Sequence, residues 1–148
     1  MASIRSGIGE NMEDRYLFKA KRVDNGEWVL GVLFDGENNC IIGQEIKFSP
    51  YQTNECKIVG YEVDRNTICQ STGLKDKNGK LIWENDIVKG KYYDNGKSHR
   101  HIGQVKYTCE AYKVVGVKQY TGYHACLDGS YEVIGNIFDN PELLESEG

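Results

Sequence analysis

Ser71-Thr72-Gly73-Leu74-Lys75-Asp76-Lys77-Asn78-Gly79-Lys80-Leu81-Ile82-Trp83-Glu84-Asn85-Asp86-Ile87-Val88 alternates turn chemistry with short apolar runs, and that alternation decides the fold class. Asn78-Gly79 supplies a tight reversal between Leu74 and Leu81-Ile82, because glycine and asparagine enter left-handed backbone most cheaply. Trp83 offers a large apolar face. Glu84-Asn85-Asp86 bends the path a second time, and Asp86 is placed to accept backbone N–H groups inside that bend. Ile87-Val88 then starts an extended segment.

The same grammar runs outward in both directions. Towards the N-terminus, Tyr16–Lys21 alternates as a strand. Asp24-Asn25-Gly26 predicts a type I′ hairpin turn, and Trp28–Phe34 returns as a near-continuous apolar run that predicts burial on both faces. Cys40–Ile42, Ile46–Phe48 and Lys57–Val63 read as further strand pieces. Pro50–Glu55 reads as loop. Towards the C-terminus, Asp94–Ser98 is a polar loop, His101–Thr108 and Ala111–Lys118 alternate around Cys109-Glu110, and Tyr131–Ile134 is a last strand. Asn140-Pro141-Glu142 carries cap, first-position proline and first-turn acid, and predicts a short C-terminal helix docked by Leu143 and Leu144. Many short strands between turn residues predict a mainly β fold, a small barrel-like or sandwich architecture, with 12–62 and 67–144 as candidate similar halves. Residues 1–11 lack a period and read as a disordered leader or expression remnant.

Composition narrows the function classes. The chain has 148 residues, 39% hydrophobic and 27% charged, with a formal net charge of -4, which excludes a polyanion binder acting with its whole surface. No apolar run approaches the roughly 20 residues that span a bilayer, and no secretory signal pattern opens the chain. A cytoplasmic protein without a membrane partner is the expectation. Five cysteines, Cys40, Cys56, Cys69, Cys109 and Cys126, are odd in number and contain no C-x-x-C pair, so reduced and mostly buried thiols are expected.

Two stretches carry a resemblance to a known family. One is Thr72-Gly73-Leu74-Lys75-Asp76-Lys77-Asn78-Gly79-Lys80 with Ile82, Glu84 and Asp86-Ile87-Val88. The other is Glu132–Leu144, beginning Glu-Val-Ile-Gly-Asn-Ile-Phe-Asp-Asn-Pro. Both, and the opening Tyr16-Leu17-Phe18-Lys19-Ala20, resemble the YopX protein family of phages and prophages over residues 12–146. The family often has glycine where this chain has Asn85. The resemblance implies a β-rich, phage-encoded protein and carries over no catalytic residue. Gly73, Asn78, Gly79, Trp83, Asn85 and Asp86 are read as a structural motif, scaffolding rather than chemistry.

Catalytic signatures are missing: there is no G-x-S-x-G, no P-loop and no G-x-G-x-x-G after a strand. No catalytic residue and no cofactor are assigned, and the chain is read as a non-enzyme. A metal site is the sharpest alternative. In extended chain, His99 and His101 share one face, as do His124 and Cys126, and two such pairs would complete a tetrahedral zinc shell for a small metal-dependent enzyme. The other alternative is nucleic acid, because Lys89, Lys91, Lys97, Arg100 and Lys106 form a basic stripe around Tyr92 and Tyr93, with Asp94 its one acid. The main expectation is a non-catalytic binding or assembly module that forms a homo-oligomer or meets a host or phage protein, with Tyr112, Tyr120 and Tyr123 as surface anchors.

Overall fold

A computed structural model describes residues 16–47 and 56–145. The expected leader, Phe48 and the Pro50–Glu55 loop lie outside those residues. Among the described residues eleven strands follow one another: β1 Phe18–Lys21, β2 Trp28–Asp35, β3 Cys40–Lys47, β4 Cys56–Val63, β5 Cys69–Lys75, β6 Leu81–Trp83, β7 Asp86–Asp94, β8 Lys97–Thr108, β9 Ala111–Gly116, β10 His124–Cys126 and β11 Glu132–Asn136. The chain divides into two units after Ser71.

In the first unit the strand order is β4-β3-β2-β1-β5. Ala20, Val29, Cys40, Ile42 and Val63 form the core, with Phe18, Leu33, Tyr61 and Ile68 against it. The end of β1 reaches β4 through one bridge, Arg22 to Val63. The barrel-like alternative does not close, because β5 already occupies β1, pairing Gln70 with Phe18 and Cys69 with Lys19. β5 continues past Ser71 into the second unit and borders β6 there.

In the second unit a sheet runs β10-β9-β8-β7-β11. Its core is Ile82, Val88, Val105, Val114, Leu127 and Tyr131, with Tyr112 and Val133 packed on it. Each ladder in the two units is antiparallel where its register is defined.

Three other expectations need correction. The C-terminal helix is one 3-10 turn, Pro141–Leu144, and the Asn140 side chain does not cap it. Instead Asn140 Oδ1 accepts from the Asn136 amide at 3.2 Å, folding back on the strand it follows. The Asp24-Asn25-Gly26 turn is not type I′, since Gly26 alone takes positive φ, +73°. The Gly26 amide donates to the Arg22 carbonyl and closes a wider loop. The Trp28–Phe34 run is buried on one face only, leaving Val32 56% and Phe34 53% exposed.

Candidate functional site

Strand register places side chains on defined faces, since neighbours directly across a ladder share a face. In the first unit, Leu30, Val32 and Phe34 of β2 point away from the core. Val32 pairs with Gly43 and Phe34 with Ile41 on β3. Gly43 pairs with Gly60 and Glu45 with Ile58 on β4. The result is an outer face on which Val32, Phe34, Ile41 and Ile58 surround two glycines, with Glu45 and Glu62 at its margins. A Cβ built on Gly43 would come within 2.8 Å of the Phe34 ring and 3.4 Å of the Ile58 side chain. The absence of a side chain there lets the Phe34 ring lie against the sheet and join its neighbours into one surface. At the β1 side, Lys19 Nζ sits 4.6 Å and Lys21 Nζ 5.4 Å from the Trp28 ring centroid.

In the second unit, β7 and β8 pair Lys89 with Ile102, Lys91 with Arg100, and Tyr93 with Ser98. Lys106 pairs with Lys113 of β9. Alternation puts Lys89, Lys91, Tyr93, Arg100 and Lys106 on one outward face. Tyr93 is 77% exposed there. Tyr92 and Lys97, the other two members of the predicted stripe, belong to the opposite face. Asp94 lies opposite Lys97 across the ladder.

Tyr92 belongs to an aromatic cluster. Its ring stacks on His99 at 5.1 Å and on Tyr123 at 5.2 Å, and meets His101 edge-on at 5.3 Å. Burial, and then the neighbouring Tyr123 and Asp94, raise the Tyr92 phenol above its ordinary pKa. His101 is fully buried. Its Nε2 lies 3.1 Å from the Tyr123 carbonyl, which only accepts, so Nε2 carries the proton. Its Nδ1 then accepts from Tyr131 Oη at 3.0 Å. Burial pushes the Tyr131 phenol up to about 12, which keeps that donor protonated. Burial also lowers the His101 pKa, against the opposing pull of the Tyr123 carbonyl.

The predicted zinc set therefore does not converge. His99 and His101 lie on the inner face with Tyr92, and both His101 nitrogens are committed. His124 pairs with Val115 and Cys126 with Lys113, the latter on the outward face. Among the described residues no group of three or more His, Cys, Asp or Glu could hold a metal ion. Of the thiols described, Cys40 and Cys69 are buried, while Cys109 and Cys126 are exposed rather than buried as expected. The predicted anchors differ too: Tyr112 and Tyr120 are half-buried, and Tyr123 is 49% exposed. A cavity of about 440 Å³ beside β8 is lined by Ile102, Val117, Lys118, Gln119, Tyr120, Ile134 and Leu143, without a histidine or carboxylate. No helix among the described residues is long and apolar enough to cross a membrane.

The family model for the YopX protein matches residues 17–145. The chain belongs to the YopX family. Protein EF1440 from Enterococcus faecalis, known from a crystal structure, is 31% identical, with 86% of this chain and 96% of that one covered and a TM-score of 0.51. The crystal structure of YopX from Bacillus subtilis is 20% identical, with coverages of 90% and 99% and a TM-score of 0.49. No curated protein matches the chain.

The structural motif around Gly73–Asp86 is built from backbone satisfaction. Asn85 sits at φ +71°, the left-handed conformation that its position demands. Its side chain accepts from Gln104 Nε2 at 3.0 Å, an anchor glycine would lack. Asp86 is buried and accepts the Trp83 amide at 2.9 Å, as the sequence predicts. Gly73 takes φ +76° and Gly79 φ +82°, but Asn78 does not take positive φ. The residue that organises this turn is Asp76, which the sequence reading did not single out. Its Oδ1 accepts the Asn78 and Lys80 amides at 2.8 and 2.9 Å, and its Oδ2 accepts the Val133 amide at 3.0 Å. Burial would raise the Asp76 pKa, but these amides and the Lys80 charge outweigh it and hold the carboxyl below its usual range. The sequence clue was an aspartate two residues before Asn78-Gly, the Asx-turn position.

Proposed function

We infer that this YopX-family chain is a non-catalytic assembly module of phage or prophage origin, working in the cytoplasm and associating with a second copy of itself through the outer face of β2, β3 and β4. The observation that carries this is the contiguous apolar surface of Val32, Phe34, Ile41 and Ile58 over Gly43 and Gly60, with Ile58 67% exposed. Soluble proteins seldom leave such a surface to water unless something covers it. Glu45 beside Ile58 and Glu62 beside Ile41 are the charges that border it on β3 and β4. A two-fold pair needs just one such patch, because an isologous contact sets the same surface against itself. Two sheets packed about 10 Å apart would bury it.

The test is sedimentation equilibrium over a wide concentration range, for the wild type and for Val32→Lys/Ile58→Lys. Both substitutions put lysine at strand positions already exposed, so the fold should tolerate them. The wild type should dimerise, and the variant should stay monomeric with a melting temperature equal to that of the wild type at concentrations too low for dimerisation. A wild type monomeric at the highest concentration overturns the reading.

A further inference from the structure

The outward face of the second sheet sets like charges directly opposite one another twice. Lys91 lies across from Arg100 on β7 and β8, and Lys106 across from Lys113 on β8 and β9. Cross-strand pairs of like charge destabilise a sheet, where an opposite charge in either position would stabilise it. None of these four cations has a carboxylate within ion-pair distance among the described residues. Lys89 differs, because its ladder neighbour on β11 is Glu132. In a chain of net charge -4, two uncompensated cation pairs on a single face are a local cost that an anionic ligand would relieve.

We propose that this face binds single-stranded nucleic acid, with the Lys91–Arg100 and Lys106–Lys113 pairs on successive stretches of phosphate backbone and Tyr93 under a base. The two pairs share β8 and stand six residues apart, about 20 Å along the strand, a span of several nucleotides. Tyr93 follows Lys91 on the same face and presents the most exposed large apolar side chain of the unit, at 77%. An exposed aromatic ring beside phosphate-spaced cations is what unpaired bases use and what a stacked duplex cannot reach. Serine at position 98, opposite Tyr93, leaves that ring unobstructed from its ladder partner.

The test is fluorescence anisotropy of the full chain with a labelled oligothymidylate, at several salt concentrations, with duplex DNA and phosphatidylserine vesicles as competitors. Four phosphate contacts give a slope of log affinity against log salt of about -3, at roughly -0.7 per contact on single strands. Lys91→Glu/Lys106→Glu should weaken binding at least tenfold while leaving the protein at least as thermally stable, because each substitution turns a repulsive pair into an attractive one. Lys97→Glu, on the opposite face, should change affinity no more than twofold. Tyr93→Ala should weaken the single strand more than the duplex. Absence of a salt-sensitive anisotropy change at low salt overturns the proposal. So does equal weakening by Lys97→Glu, or vesicles displacing the oligonucleotide while duplex and unlabelled single strand do not. Dimerisation through the first unit is read by sedimentation, so either idea can fail without the other.

Discussion

Two hairpins of the second sheet solve one backbone problem with opposite chemistry. β7 and β8 are joined by Asn95-Gly96, at φ +50° and +76°, and β8 and β9 by Cys109-Glu110, at φ +51° and +66°. Both loops have two residues, closed by Asp94–Lys97 and Thr108–Ala111. Positive φ at both central positions is the type I′ signature, which suits asparagine and glycine. For other L-residues the left-handed region costs about 1–2 kcal/mol each. Replacing Cys109-Glu110 by Asn-Gly removes most of that strain, while the flexibility of glycine in the unfolded chain returns about 0.5–1 kcal/mol. The net gain is about 1–2 kcal/mol, or about 2–8 °C in the melting temperature of a chain this size. The reciprocal change, Asn95→Cys/Gly96→Glu, should lose a similar amount. Exchanging the dipeptides between the loops should therefore leave stability near the wild-type value. Calorimetry and urea titration of the three variants would measure this. A Cys109→Asn/Glu110→Gly variant no more stable than wild type would refute the strain argument.

Two further outcomes follow from buried titratable groups. Asp76→Asn should cost on the order of 1–3 kcal/mol at neutral pH, because a charge-assisted acceptor of three amides becomes a neutral one. Since the folded Asp76 carboxyl has a lowered pKa, the unfolded chain takes up its proton first. The wild type should then lose stability as pH falls below about 4, and Asp76→Asn should flatten that acid limb in urea titrations. His101 is buried neutral with a lowered pKa, so its contribution is present above about pH 6.5 and fades as pH drops below that value. His101→Gln should be less stable than wild type at pH 7.5 and show a smaller decline between pH 7.5 and 5.5, measured the same way.

Turn chemistry made most of the fold legible. Asn85, Gly79 and Asp86 announce their bends because few other residues accept that backbone or cap those amides. Cys109-Glu110 announces nothing: only the two-residue gap between alternating strands marks the hairpin, and the price of that silence is backbone strain. The barrel-like expectation failed at β5, because a local pattern says that a strand exists but not which edge it takes. The zinc expectation failed on facing. Period-2 spacing correctly paired His99 with His101 and His124 with Cys126, yet it could not say that the pairs belong to opposite faces. The basic stripe was legible as composition and only partly as surface, since Tyr92 and Lys97 alternate away from Lys91 and Tyr93. Asp76 was missed because its third amide comes from Val133, 57 residues on.

The Trp28–Phe34 run ties the sequence signal to the proposed assembly. A continuous apolar strand is the pattern of burial on both faces. Within one chain that burial covers Val29 and Leu33 and stops, leaving Val32 and Phe34 to water. A strand that need only cover a core would do so with alternation, and polar residues at 32 and 34 would spare it the exposure. The pattern becomes consistent when the second face is also buried, against another copy. On this argument, substituting Val32 and Phe34 by threonine, a β-branched residue of high strand propensity, should leave the monomer intact and abolish the dimer. If that variant instead unfolded, the outward side chains would be serving the monomer's own stability, and the run would need a different explanation.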